Sequence, residues 1–439
     1  MKNFVLSILF VLVSQLSYSQ KINFLEYDLD NGLHVILHQD SSVPLVVTSV
    51  MYHVGAKDEN PERTGFAHFF EHLLFEGTKN IPKGEFMKIV EQNGGSLNAN
   101  TSNDRTYYYE FFPSNKLELG LWLESERLMH PVINQIGVDT QNEVVKEEKR
   151  LGVDNSPYGH LFEQILQSLF KKHPYRWTTI GSMDHLDAAT LDEFKEFNKK
   201  YYVPNNGVLV VAGNFEIEET KKMVEDYFGP IPRGNDIPRI NIQEDAITKE
   251  TRKEFFDANI QIPMVLVCYR TPSMKTRDAY VLDMISTILS DGKSSRLYKK
   301  MVDEKKISLQ VQAVNVGLED YGGYVILSLP LGDNTLDNLL ENIEEEVVKL
   351  QNELISEREY GKLQNIFENS FVSSNASMAG VANSLARYYM LYGNTNLIND
   401  QIDIYKSVTR EEIREVARKY LNKNQRAIID YLPKKDEGQ

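Results

Sequence analysis

The chain repeats itself at a fixed interval. Thr190-Leu191-Asp192-Glu193-Phe194-Lys195-Glu196 matches Thr409-Arg410-Glu411-Glu412-Ile413-Arg414-Glu415 in chemical character, 219 positions later. Lys200-Tyr201 returns as Lys419-Tyr420, and Val43-Pro44 as Ile262-Pro263, at the same interval. Related segments near both ends of each half imply a duplicated domain of about 200 residues, within the ordinary range for one domain. Between the halves, Gly229-Pro230-Ile231-Pro232-Arg233-Gly234-Asn235-Asp236-Ile237-Pro238 is too rich in proline and glycine for a helix or a strand. The expected division is a first domain over 20–230, a linker over 231–250 and a second domain over 251–439.

Within the halves, the apolar patterns mix both periods. Leu33–Leu37, Leu45–Met51 and Thr106–Phe112 are β-branched or aromatic runs, with Asn31-Gly32 as turn chemistry before the first. Gly65–Phe75, Leu117–Met129, Gln141–Arg150 and Leu191–Tyr201 read as helices. Neighbouring strands with helices in blocks predict an α+β fold, each half a mainly antiparallel sheet with helices packed on one face.

Met1-Lys2-Asn3, the apolar stretch Phe4–Leu16 and the small residues Ser17 and Ser19 have the layout of a secretory signal peptide over 1–19. The apolar stretch is short of the roughly 20 residues a membrane span needs. Export to a bacterial periplasm is the expectation. A single cysteine, Cys268, excludes an intrachain disulfide and a cysteine-built zinc site. The net charge of −15, from 48 Lys+Arg against 63 Asp+Glu, argues against nucleic acid as the partner.

The chemistry concentrates in Gly65-Phe66-Ala67-His68-Phe69-Phe70-Glu71-His72-Leu73-Leu74-Phe75, which contains H-x-x-E-H. On a helix, His68 and His72 lie one turn apart on one side, where two imidazoles can share a tetrahedral metal. Glu71 lies on nearly the same face. Zinc lowers the pKa of a coordinated water towards 7, so a carboxylate beside it can take a proton at neutral pH. A catalytic zinc has three protein ligands, so a third must come from elsewhere. The acidic segment Glu143-Val144-Val145-Lys146-Glu147-Glu148-Lys149-Arg150 is a natural donor.

His68-Phe69-Phe70-Glu71-His72, with Glu148 following 76 residues after His72, resembles the inverted zinc motif of the pitrilysin (insulinase) metallopeptidases. Phe75-Glu76-Gly77-Thr78, Asn98-Ala99-Asn100-Thr101 and Gln141–Glu148 resemble the same family, and the length is that of its short two-domain subfamily. That subfamily includes the mitochondrial processing peptidase subunits and bacterial two-subunit zinc peptidases. The resemblance implies a zinc endopeptidase with Zn2+ on His68, His72 and Glu148, and Glu71 as general base. It is the family register that selects Glu148 over Glu147 and Glu143. The resemblance also implies that Asn98 and Ala99 lie on an edge strand that pairs with the substrate backbone, and that the chain forms half of a clamshell.

Two departures qualify it. Gln141 stands where many members carry an acidic residue. Val302 and Leu309 stand where complete sites place an Arg and a Tyr that face the zinc. At the 219 interval the second half has Thr287, Ser290 and Asp291 in place of His68, Glu71 and His72. A paralogous subunit is therefore expected to supply the missing donors. The alternatives are a homodimer that uses residues such as Arg296 and Tyr298, or a non-catalytic assembly subunit of the same fold.

Overall fold

The computed structural model describes residues 21–434, so the expected signal peptide lies outside the described residues. Two sheets organise the chain. The first joins β1 (Leu25–Asp28), β2 (His34–Gln39), β3 (Leu45–Tyr52), β4 (Ser96–Thr101), β5 (Thr106–Pro113) and β6 (Gly207–Gly213) in the order β1-β2-β6-β3-β5-β4. The second joins β7 (Thr251–Asp257), β8 (Met264–Pro272), β9 (Ser308–Gly317), β10 (Tyr321–Pro330) and β11 (Arg426–Pro433) in the order β7-β11-β8-β10-β9. The β2–β6 and β7–β11 pairs are parallel and every other pair is antiparallel.

Aligned through the repeat, the two strand orders are the same, with β1 as an extra strand in the first half. Thr190 and Thr409 each start a helix, Leu191–Tyr201 and Arg410–Tyr420. In both, the threonine hydroxyl accepts from the backbone N–H three residues on, and the glutamate there bonds back. This reciprocal cap fixes both helix starts. No helix or strand falls between Phe228 and Thr251.

One face of the first sheet, with Val35, Val50, Tyr108 and Leu209, packs on the aromatic side of the helix Phe66–Leu73 and on Phe194 and Phe197. The other face is closed by the opposite half. Val381, Ala382 and Leu385 of the helix Met378–Arg387 cover Ile36, Val47, Met51 and Val210. Reciprocally, Ile165, Leu166 and Leu169 of the helix Leu161–Leu169 lie on Leu266, Cys268 and Ile429 of the second sheet. These helices occupy equivalent places in the repeat, so the halves exchange them. Cys268 is sealed in that layer, and burial pushes its thiol up to about 12.

The turns after β4 and β9, also equivalent, meet between the halves. Lys57, 3% exposed, reaches Asp104 at 3.0 Å, Glu319 at 2.7 Å and Asp320 at 3.2 Å. His53 pairs with Glu319 at 2.7 Å, and the Glu319 amide donates to Asp104 at 3.0 Å. A buried cation shared by three carboxylates ties the two turns together.

Candidate metal centre

The helix Phe66–Leu73 has eight residues, about two turns, and could not persist alone. Its apolar side sets its orientation: Phe66, Phe69 and Phe70 are buried against Phe194 and Phe197. At its end, fully buried Arg127 donates to the Leu74 carbonyl at 3.3 Å, where a cation complements a helix C-terminus. Arg127 is also held by Glu110 at 2.8 Å and Glu124 at 3.1 Å, beneath the rings of Phe75, Phe86 and Tyr108. Burial and Glu124 hold Glu110 well above the usual carboxylate range. The Tyr108 hydroxyl donates to the Phe70 carbonyl at 2.9 Å.

With the apolar side fixed, His68 and His72 emerge on the other side, facing the helix Gln135–Lys149. That helix begins six residues before the expected Gln141, because the Asn134 side chain accepts from Gly137 N–H and caps an earlier start. Ile136, 69% exposed, hides this start from an apolar pattern. Gln141 donates to Glu76 at 2.5 Å, which joins this helix to the segment after the motif.

The structure brings His68, His72 and Glu148 together. Their Nε2, Nε2 and Oε2 atoms form a triangle with edges of 3.2 Å between the histidines, 3.3 Å from His72 to Glu148 and 3.5 Å from His68 to Glu148. Ligands at tetrahedral zinc distances lie about 3.3 Å apart. Among the described residues this is the one group of three His, Cys, Asp or Glu side chains placed to hold a metal ion. Burial, with the neighbouring His72, pushes the His68 imidazole down to about 4, so it is neutral and able to donate a lone pair. The His72 hydrogen bond holds the Glu148 carboxyl below its ordinary value, so it is anionic. Two imidazoles and a carboxylate suit zinc.

Glu71 points from the same helix towards β4. The Thr101 hydroxyl donates to its Oε2 at 2.7 Å, a partner that sequence reasoning did not find. Burial raises the Glu71 carboxyl above its ordinary value, with Thr101 opposing.

Asn98 and Ala99 lie on β4, the outermost strand of the sheet. Ser102 N–H bonds Arg105 C=O at the turn, so the alternation of an antiparallel ladder turns the backbone of Asn98 and Asn100 towards β5. Leu97, Ala99 and Thr101 present their backbone groups to the free edge. The Asn98 side chain covers one of these groups, accepting from Ala99 N–H at 2.8 Å. Beside the triad, a cavity of about 630 Å³ is lined by His68, Glu148, Phe162, Trp177, Ile180 and Met183, among others.

In the second half, Arg296 is committed to Glu359 at 2.8 Å. Val302 packs on the second core and Leu309 is 46% exposed.

The family described as Insulinase (Peptidase family M16) matches residues 34–182, and Peptidase M16 inactive domain matches residues 188–367. The zinc protease PqqE of Helicobacter pylori is 29% identical over 423 residues, covering 92% of each chain. A crystal structure of a protease from Helicobacter pylori superposes with a TM-score of 0.89 at 28% identity, over 94% of this chain and 100% of that one. Pitrilysin shares the fold at a TM-score of 0.77 and 17% identity, and the match spans 47% of its length. The chain belongs to the insulinase, or pitrilysin, family of peptidases, in its short two-domain form.

Proposed function

We propose that the chain is a zinc-dependent endopeptidase subunit that acts on peptides or unfolded segments. The observation that carries this reading is the triangle of His68, His72 and Glu148, whose edges match a tetrahedral ligand set. When bound, zinc supplies a Lewis acid that polarises the scissile carbonyl and activates water as the nucleophile. His68 and His72 would hold the ion from one helix and Glu148 from the next. Glu71 accepts the proton from the attacking water and returns it to the leaving amine. Its raised pKa suits a group that must both take and give a proton.

The free edge of β4 orients the peptide. Ala99 offers outward backbone groups for main-chain pairing once the Asn98 amide turns aside, a mode that tolerates many sequences. The cavity beside His68 gives room for a side chain next to the scissile bond. The chain offers no Arg or Tyr at positions 302 and 309, and a second copy would lack them too, so a paralogous partner completes the oxyanion site. Export to the periplasm fits the amino-terminal sequence, and no helix of the described residues is long and apolar enough to cross a membrane.

The test is zinc content and peptide hydrolysis of the purified chain, alone and with its co-purifying partner. One zinc per chain, lost in His72→Ala, with hydrolysis abolished by a chelator, is expected. A wild-type chain that takes up no zinc at neutral pH would favour the assembly-subunit reading. Full activity of the chain as a monomer would remove the partner and keep the zinc.

A further inference from the structure

The helix that carries both histidines starts without a local cap. Its first flanking residue is Gly65, at φ +100°, a conformation that L side chains rarely adopt. Glycine offers no side chain to the exposed N–H groups of the first turn. Those groups are met from a distance: Glu59 Oε2 accepts from Gly65 N–H at 2.9 Å, and Glu59 Oε1 accepts from Ala67 N–H at 2.8 Å. Glu59 is 5% exposed and makes no ion pair among the described residues. Burial pushes its carboxyl up to about 8, against the pull of the two backbone donors, and both oxygens can accept in either protonation state.

The second half shows what this device replaces. The equivalent helix there runs Arg277–Ser290, 14 residues, and its own Thr276 side chain accepts from Ala279 N–H. Asp278, at the place of Glu59 in the repeat, turns outward to Lys419 at 2.7 Å and to the Tyr420 hydroxyl at 2.8 Å. In the first half, the residues that would make the first two turns of that helix are unwound, and Glu59 folds back onto the shortened N-terminus.

We propose that Glu59 is a positioning residue for the metal centre: by gripping Gly65 and Ala67 it fixes the axial place of the helix that carries His68 and His72, whose rotation the aromatic packing sets. The inference rests on the zinc reading for its consequence and on the structure alone for the grip. Side-chain packing alone does not define a helix's axial place to the about 0.2 Å that zinc–ligand distances tolerate. The residue after Ala67 is His68, so the grip acts within one residue of the first imidazole.

The experiment compares wild type, Glu59→Gln and Glu59→Asp in the full chain, by zinc affinity in a chelator competition and by hydrogen exchange of the peptide covering 64–75. Glutamine keeps the shape but presents an amide NH2 to one of the two backbone donors. It should weaken zinc binding about 10- to 100-fold, as loss of a group supporting a metal ligand does. It should also raise exchange in 64–75 while leaving the second half unchanged. Aspartate keeps an acceptor for one donor and should recover part of both losses. Should the glutamine variant fail to fold, the aspartate variant carries the same two measurements. Zinc affinity within twofold of wild type, with protection of 64–75 intact, would overturn the proposal. A wild-type chain that binds no zinc while 64–75 still loses protection in Glu59→Gln would remove the metal reading and keep the grip.

Discussion

The two halves share a strand order, yet they differ where the central helix meets the outer strand. In the first half, Glu71 touches β4 only through the Thr101 hydroxyl, so the backbone edge of Leu97 and Ala99 is not tied to the helix. In the second half, Ser290, at the place of Glu71, takes both backbone groups of Ala313 on β9, donating to its carbonyl at 3.2 Å and accepting from its N–H at 2.7 Å. Ala313 is an outward-facing residue of β9 by the same ladder alternation that turns Ala99 outward on β4. One half therefore keeps an edge ready to pair, while the other spends it on its own helix, a common way to silence an exposed strand. The same scaffold thus carries a carboxylate at this place in one half and a hydroxyl in the other, with an open edge beside the first and a tied edge beside the second.

The sharpest way to break the comparison is to remove the carboxylate. Glu71→Gln should lower kcat for peptide hydrolysis by about 10² to 10⁴ while zinc content stays at wild type. Ser290→Ala should leave the same assay within about twofold, since among the described residues no hydrogen bond or ion pair joins the second half to the donor triad. Equal losses from both would mean that the halves are not divided in this way.

Stability should divide along the same line. Arg127→Met strips the one cation from the buried Glu110–Glu124 pair and the donor from Leu74 C=O, and should cost about 3–5 kcal/mol in denaturant unfolding. The corresponding residue of the second half is Glu346, whose partners Lys300 and Lys349 are nearer solvent. Glu346→Gln should cost less, about 1–2 kcal/mol, since Lys300 keeps Glu345 as a partner.

The joint between the halves should respond to acid. Burial raises the Glu319 carboxyl, but the His53 hydrogen bond and the Lys57 charge outweigh it and hold the group well below the usual carboxylate range. Asp320 is held low as well, with burial opposing and His173 and Lys57 prevailing. Asp104 and Lys275 complete the charges facing Glu319. A carboxylate whose pKa is depressed by folding stabilises above its unfolded value, about 4, and that contribution fades as pH falls through the folded value. Thermal midpoints should therefore drop below about pH 4 in wild type, and more shallowly in Glu319→Gln. An unchanged slope in the variant would show that the acid response lies elsewhere.

Much of this architecture was legible in the sequence because it is local. The match of Thr190–Glu196 with Thr409–Glu415 announced the duplication, and the β-branched run before Tyr52 announced β3. The H-x-x-E-H spacing placed His68 and His72 side by side, and the structure brings Glu148 to them. The extra strand β1 carries only alternating half-burial over four residues, too little to signal itself. The exchange of helices between sheets is invisible, because Leu161–Leu169 is amphipathic in the ordinary way and nothing in it names the sheet it covers. Lys57 and Glu59 look like surface charges in a polar stretch, and only the fold reveals what buries them. Resemblance placed Asn98 and Ala99 together, but the ladder separates them: one backbone faces inward, the other outward.

That separation supplies the next test. Proline at an outward-facing position removes an edge N–H without breaking the ladder. Ala99→Pro should fold, hold zinc and lose about fivefold in kcat/KM, the worth of one main-chain bond to the peptide, about 1 kcal/mol. Asn98→Pro removes a ladder donor and should destabilise the hairpin instead. Peptidase activity unaffected by Ala99→Pro would move the substrate off β4.

The smallest effect belongs to the silent edge. Ser290→Ala leaves Ala313 N–H and C=O without their partner, at a cost of about 1 kcal/mol in unfolding free energy. The more informative reading is association. A freed edge on β9 offers the same kind of pairing surface that β4 keeps open, so the variant should show more concentration-dependent self-association than wild type by analytical ultracentrifugation. If Ser290→Ala loses stability without gaining association, the hydroxyl serves packing alone, and the contrast between open and closed edges rests on the first half.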